Sequence, residues 1–298
     1  GDITKISTDS RDIDEGTLFV ALIGERFDAH DFVADVLEKG AKAVVCSKNL
    51  GDDSRIIYVE DTGKALLDIG HGYRKLFDIP FIGLTGSVGK TTSKGMIYAV
   101  VKKKFDALRT AGNLNNEIGV PKTLFCLEEH HEAAVIEMGM NHFEEISRLS
   151  KAVEPQIAVI TNVGTAHIEN LGSRDGILKA KLEILEGMKN DAPIILNGDD
   201  DMLVTVRPGA HPVKYYGIEN EKCNVKAFDI TSKEDEIAMT VDFGNGTGRV
   251  SLPFPGRHNI YNALCAVSAG QLFDIEPEQA FEALKGYVPA GMRQRINK

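Results

Sequence analysis

The residues best suited to chemistry lie in the run Gly83-Leu84-Thr85-Gly86-Ser87-Val88-Gly89-Lys90-Thr91-Thr92. An apolar stretch, Phe81 to Thr85, leads into it and helical sequence follows, which is the setting a phosphate-binding loop requires. Gly86 and Gly89 let the backbone turn so that N–H groups can point at phosphate oxygens. The helix N-terminus that follows adds its dipole. Lys90 is then placed to bridge terminal phosphates and the Thr91 hydroxyl to ligate Mg²⁺. The strict G-x-x-x-x-G-K-[ST] spacing asks for glycine at position 84, where this chain has Leu84. A glycine-rich turn without a ligand is the bland alternative, but Gly-Lys-Thr-Thr in this context favours a nucleotide. The loop alone says only NTPase, because kinases, GTPases, motors and ligases share it.

Other candidates are weaker by themselves. Glu137 ends the apolar run Ala133 to Ile136, where parallel sheets place ligand-binding groups. With Thr91 it offers the oxygen ligands Mg²⁺ prefers, although a carboxylate there can also cap the next turn. His167 follows the run Ile157 to Ile160; a lone histidine is more often structural, and nitrogen suits Mg²⁺ poorly. Lys179 and Lys181 are, on sequence alone, solvated charges on an amphipathic helix. Asn259 and Asn262 lie three apart, so both amides can address one ligand; alternatively Asn259 caps the helix.

These residues need a sheet to position them. Strands are expected at 16–22, 43–46 and 56–59, with helices at 31–39 and from Thr62 to about Leu76. From Pro80 the apolar runs at 81–85, 133–136, 157–160 and 194–196 alternate with helical segments, which implies a mostly parallel, doubly wound sheet. Between Val213 and Pro253 the period changes to two and Asn245-Gly246 breaks it, so an appended antiparallel region is expected. Helices return at 258–273 and 276–284. A chain of 298 residues exceeds one ordinary core, and the boundary is placed near Asp78, giving α/β domains 1–78 and 79–298.

The formal net charge of −10, with no basic stripe, argues against a general nucleic-acid binder. Cys46, Cys126, Cys223 and Cys265 are dispersed, as free thiols in a reducing compartment are. No run approaches a membrane span, so a cytoplasmic protein without membrane insertion is expected.

With threonine preceding its first loop glycine, Thr85-Gly86-Ser87-Val88-Gly89-Lys90-Thr91-Thr92 resembles the Mur ligase family. Segments 110–121, Glu137-Met138-Gly139-Met140, 161–167, 179–184, Asn197-Gly198-Asp199-Asp200 and 256–263 agree in order with the D-alanyl-D-alanine-adding member. Asp9-Ser10-Arg11 and Gly24 to Phe32 resemble that member's UDP-sugar-binding domain, so the likeness covers nearly the whole chain. It implies an N-terminal UDP-sugar domain and a central ATPase domain. The implied reaction is ATP-dependent joining of D-alanyl-D-alanine to UDP-N-acetylmuramoyl-tripeptide through an acyl phosphate, in cell-wall peptidoglycan synthesis. The family's third domain has no counterpart before Lys298, so this polypeptide is expected to be inactive alone.

The resemblance also implies roles. Thr85 to Thr92 hold ATP, with Asn259 and Asn262 near adenine and Arg293 near the phosphates. Thr91, Glu137, His167 and Lys181 attend Mg²⁺, Lys181 as a carbamate made from CO₂, which implies bicarbonate dependence. A carbamate replaces a repelled ammonium with a negative ligand. Ser10, Arg11, Arg26, Phe27, His30 and Asp31 contact the UDP group, the arginines by bidentate phosphate recognition, although residues 28–31 read equally as a helix start. Asn115 and Asn116 reach the muramoyl-peptide arm. A monomer is expected. The competing readings are a P-loop hydrolase or switch, which needs neither muramoyl substrate nor Lys181, and a non-catalytic nucleotide- or UDP-sugar-binding module.

Overall fold

A computed structural model of the chain describes residues 2–24 and 26–289. Two compact units divide between Leu76 and Phe77. In the first, β1 (Lys5–Ser7), β2 (Thr17–Val20), β3 (Ala43–Cys46) and β4 (Ile56–Tyr58) form a four-stranded sheet in chain order, parallel throughout. Phe19, Val33, Val36 and Val44 make its core. Strand β1 carries no apolar run and left no trace in the periodicity. The helix expected at 31–39 is a 3₁₀ turn, Ala29–Phe32, followed by one and a half turns of α-helix, Val33–Glu38. Asp61 caps the helix Thr62–Arg74: its Oδ1 accepts from the amides of Gly63 at 2.8 Å and Lys64 at 3.0 Å.

The second unit holds β5 (Phe81–Thr85), β6 (Ala107–Arg109), β7 (Ala133–Glu137), β8 (Ile157–Ile160), β9 (Ile194–Asn197), β10 (Val213–Gly217), β11 (Val225–Ser232), β12 (Ile237–Asp242) and β13 (Thr247–Leu252). They build one nine-stranded sheet in the order β13-β12-β11-β10-β9-β8-β5-β7-β6. Every pairing from β6 to β11 is parallel, and β12 and β13 close the edge antiparallel. The expected antiparallel region is therefore present but shorter: β10 pairs parallel with β9 on one side and β11 on the other. Period-two patterning reports a strand with one covered face and carries no information on its neighbour's direction.

The chain leaves β5 for the edge strand β6, returns through β7, then crosses to β8 on the other side of β5. That reversal opens a crevice at the C-terminal end of β5, where sheets of this kind bind ligands. The registers Leu84↔Glu137 and Thr85↔Ile160 bring three strand ends level there. Helices Lys90–Val101 and Arg257–Leu272 contribute Met96, Ile97, Ile260 and Leu264 to the same core as Ile82 and Leu84 of β5. Among the described residues no helix is long and apolar enough to cross a membrane.

Because β5 is buried on both faces, Ile82→Ala is expected to cost about 2–5 kcal/mol in a denaturant titration. Half-exposed Ile57 of β4 provides the contrast, with Ile57→Ala expected to cost less than about 1 kcal/mol.

Candidate active site at the strand ends

Two glycines shape the loop after β5. At Gly86 a Cβ would lie 1.9 Å from Thr161 Oγ1, so no larger residue fits against the end of β8. Gly89 sits at φ 79° and starts the helix Lys90–Val101 without a side-chain cap, leaving the first-turn amides open to a ligand. Leu84 is fully buried in β5, which explains the departure from the strict glycine spacing: the turn is made at 86 and 89 instead. The Ser87 and Val88 amides donate to Asn162 Oδ1 at 3.0 and 2.9 Å. The Asn162 amide returns a bond to the Val88 carbonyl at 2.9 Å, so this asparagine staples the loop to the end of β8. Lys90 Nζ folds back to the Gly86 carbonyl at 2.8 Å, and burial lowers its pKa. Thr92 and Thr91 follow in the first turn, and Thr85 Oγ1 is buried without a hydrogen-bond partner.

Glu137, at the end of β7, is almost wholly buried and closely held. Its Oε2 lies 2.9 Å from Lys94 Nζ and 3.5 Å from Thr91 Oγ1, and its Oε1 accepts from Asn115 Nδ2 at 2.8 Å. Its amide donates to Thr110 Oγ1 at 2.9 Å. Thr91 and Glu137 thus come together as the sequence suggested. They fit a hard cation: hydroxyl and carboxylate oxygens, close enough for one ion to address both. Lys94, one helical turn after Lys90, went unnoticed as an ordinary helix lysine, although its spacing puts it on the same face. Asn115 spends its amide on Glu137, and Asn116 Oδ1 accepts from the amides of Ile118 and Gly119 at 3.2 and 2.8 Å, closing the turn into the helix Gly119–Leu124.

Lys181 is buried at 2% exposure, not solvated as its helix pattern suggested, and its ammonium makes no hydrogen bond or ion pair among the described residues. Burial, and then the charge of Lys90, lower its pKa to about 7. His167 is half-buried at φ 65° and opens the short helix Ile168–Leu171. Among the described residues no group of three or more His, Cys, Asp or Glu gathers as a metal cage.

A cavity of about 300 Å³ beside the loop is lined by Val88, Gly89, Asn162, Tyr216, His258, Tyr261 and Asn262, among others. Asn262 reaches it, accepting from Ser93 Oγ at 2.8 Å. Asn259 does not: its Nδ2 bonds the Pro255 carbonyl at 2.7 Å, and its Oδ1 receives Asn262 Nδ2 at 3.3 Å. Neither residue caps the helix, which starts after Gly256. The aromatic lining was missed because Tyr216 and Tyr261 belong to different elements.

In the first unit, His30 turns inward. Its Nδ1 meets Asp28 Oδ1 at 2.6 Å and its Nε2 accepts from the Ser47 amide at 2.9 Å, so the ring braces the loop. Arg11 is exposed but forks onto Asp9, at 2.9 and 2.7 Å, and Ser10 offers its carbonyl to Lys39 Nζ at 2.8 Å. Arg26, Phe27 and Asp31 are exposed, Phe27 at 75%. Arg293 lies outside the described residues.

The family signature "Mur ligase middle domain" matches residues 84–270, and "Mur ligase family, catalytic domain" matches residues 2–69. UDP-N-acetylmuramoyl-tripeptide–D-alanyl-D-alanine ligase of Bacillus subtilis (strain 168) is 38% identical over 296 residues, covering 98% of this chain and 64% of its own length. The enzyme of the same name from Escherichia coli (strain K12) is 38% identical over 265 residues, covering 88% of this chain and 59% of its own length. Among solved structures, MurF from Acinetobacter baumannii superposes with a TM-score of 0.92 at 36% identity, over 98% of this chain and 64% of that one. MurF ligase from Thermotoga maritima in complex with ADP gives a TM-score of 0.88 at 27% identity, over 96% of this chain and 66% of that one. The chain therefore spans about 64% of the length of the first of these curated relatives. With a family signature that spans residues 84–270, from the end of β5 through the phosphate loop and the strands that follow, the chain belongs to the Mur ligase family.

Proposed function

We propose that this chain provides the UDP-sugar- and ATP-binding parts of a cytoplasmic ligase that joins D-alanyl-D-alanine to UDP-N-acetylmuramoyl-tripeptide. The observation that carries this reading is the cluster at the ends of β5 and β7. Lys90 is half-buried and Lys94 buried, both beside the single carboxylate Glu137, in a chain of net charge −10. A local excess of positive charge beside open helix amides suits a polyphosphate. The ADP-bound Thermotoga maritima relative supports the nucleotide.

In the reaction, a carboxylate oxygen of the tripeptide attacks the terminal phosphorus of ATP, and the bond to ADP breaks. The amine of D-alanyl-D-alanine then attacks the acyl carbon, and phosphate leaves with the C–O electron pair as the amine sheds a proton. Negative charge gathers on phosphoryl oxygens at each stage, so fixed donors contribute most. Lys90 faces the terminal phosphates, the first-turn amides of Lys90 to Thr92 bind their oxygens, and the cavity at Asn262 takes the base. Thr91 and Glu137 would hold Mg²⁺, which when bound would screen phosphoryl charge, and His167 would ligate a second Mg²⁺. Arg26, Phe27 and Asp31 are available to the uridine diphosphate, while Asn115 acts through Glu137.

Lys181 is assigned as a carbamate. A buried ammonium beside Lys90 is unfavourable, and a pKa of about 7 leaves much of the amine neutral near neutrality. The neutral nitrogen attacks the carbon of CO₂ and loses a proton, giving an anion that relieves the repulsion.

Calorimetric titration and phosphate release test the function. ATP and UDP-N-acetylmuramoyl-tripeptide are both expected to bind, with Lys90→Met weakening ATP at least about tenfold and sparing the UDP-sugar. Steady ATP hydrolysis without the tripeptide, or failure to bind it, would overturn the reading in favour of a hydrolase or switch. In ¹³C-bicarbonate, a carbamate resonance is expected that grows from pH 6 to 8, as the Lys181 amine loses its proton, and vanishes in Lys181→Met. A spectrum without that resonance would remove the assignment.

A further inference from the structure

Lys94 is buried at 3% exposure, and its ammonium is divided between two partners: Glu137 Oε2 at 2.9 Å and the Gly112 carbonyl at 2.7 Å. The second partner lies in the segment that also supplies Asn115 to Glu137 Oε1. The carboxylate available to a cation is therefore already neutralised by an internal one, on the same oxygen that faces Thr91 Oγ1. Among the described residues no group of three or more His, Cys, Asp or Glu gathers there as a metal cage. A divalent ion arriving alone meets one carboxylate and an ammonium in contact with it, and like charges at such range repel strongly where water is excluded. An ion arriving with a polyphosphate brings its own negative charge, and the balance reverses.

We propose that Lys94 is a positioning residue that makes metal entry at Glu137 conditional on nucleotide: it occupies Oε2 in the free protein and keeps divalent ions out until a polyphosphate supplies compensating charge. This rests on the assignment of Glu137 as the metal's carboxylate.

Mn²⁺ binding, followed by electron paramagnetic resonance on the full 298-residue chain with and without ADP, tests it. Without ADP, the wild-type chain and Lys94→Arg are expected to bind Mn²⁺ at least about tenfold more weakly than Lys94→Gln. Adding Glu137→Gln to Lys94→Gln is expected to abolish that gain. Removing the buried cation leaves Glu137 uncompensated and destabilises the fold, so a second readout is the melting temperature. Mn²⁺ should raise it in Lys94→Gln and leave the wild-type chain unmoved. Tight Mn²⁺ binding by the nucleotide-free wild-type chain overturns the proposal, as does a Lys94→Gln chain that neither gains affinity nor regains stability with Mn²⁺. The underlying assignment fails separately: in that case Glu137→Gln leaves Mn²⁺ binding in the presence of ADP unchanged.

Discussion

A buried carboxylate must be compensated, and much of this site follows from how Glu137 meets that demand. An uncompensated charge in a protein interior costs several kcal/mol, roughly the whole margin by which a domain is folded. Lys94, Asn115 and Thr110 each spend a polar group on it or on its amide. Those three residues come from the helix after the phosphate loop and from the segment after β6, so one charge fixes the mutual positions of three chain segments. The segment 110–116 is held by this contact and by the turn that Asn116 closes. A cost in stability is thereby converted into a defined geometry at the mouth of the sheet.

The opposite wall is built without charge. Asn162 binds two loop amides and a loop carbonyl, so the end of β8 and the phosphate loop behave as one piece. Gly86 permits that approach, since any side chain there would collide with Thr161. Strand order does the rest: β5 lies between β7 and β8, and the chain diverges on either side of it. The acid and the loop staple face each other across the strand that carries the loop.

Much of this was legible in the sequence because it depends on local pattern. The run Phe81–Thr85, the glycines at 86 and 89, and the helix from Lys90 are strand, turn and helix signals that no distant contact needs to supply. The position of Glu137 at a strand end was equally local. What could not be read were partnerships across the fold. Lys94 looks like any helix lysine until β7 sets an acid beside it, and Asn162 looks like a turn residue until β8 lies next to β5. Lys181 has the pattern of a surface charge, yet tertiary packing buries it. His30 has the type of a ligand-binding residue, but Asp28 and Ser47 claim both ring nitrogens. The short strands β1 and β6 carry too few apolar residues for any periodicity to register.

The most direct test is a crystal structure of the chain with a non-hydrolysable ATP analogue and Mg²⁺. The terminal phosphates are expected against the amides of Lys90 to Thr92 with Lys90 Nζ in contact, the base in the cavity at Asn262 and Tyr261, and the ion between Thr91 and Glu137. An empty loop, or an analogue bound away from the ends of β5 and β7, would contradict this arrangement.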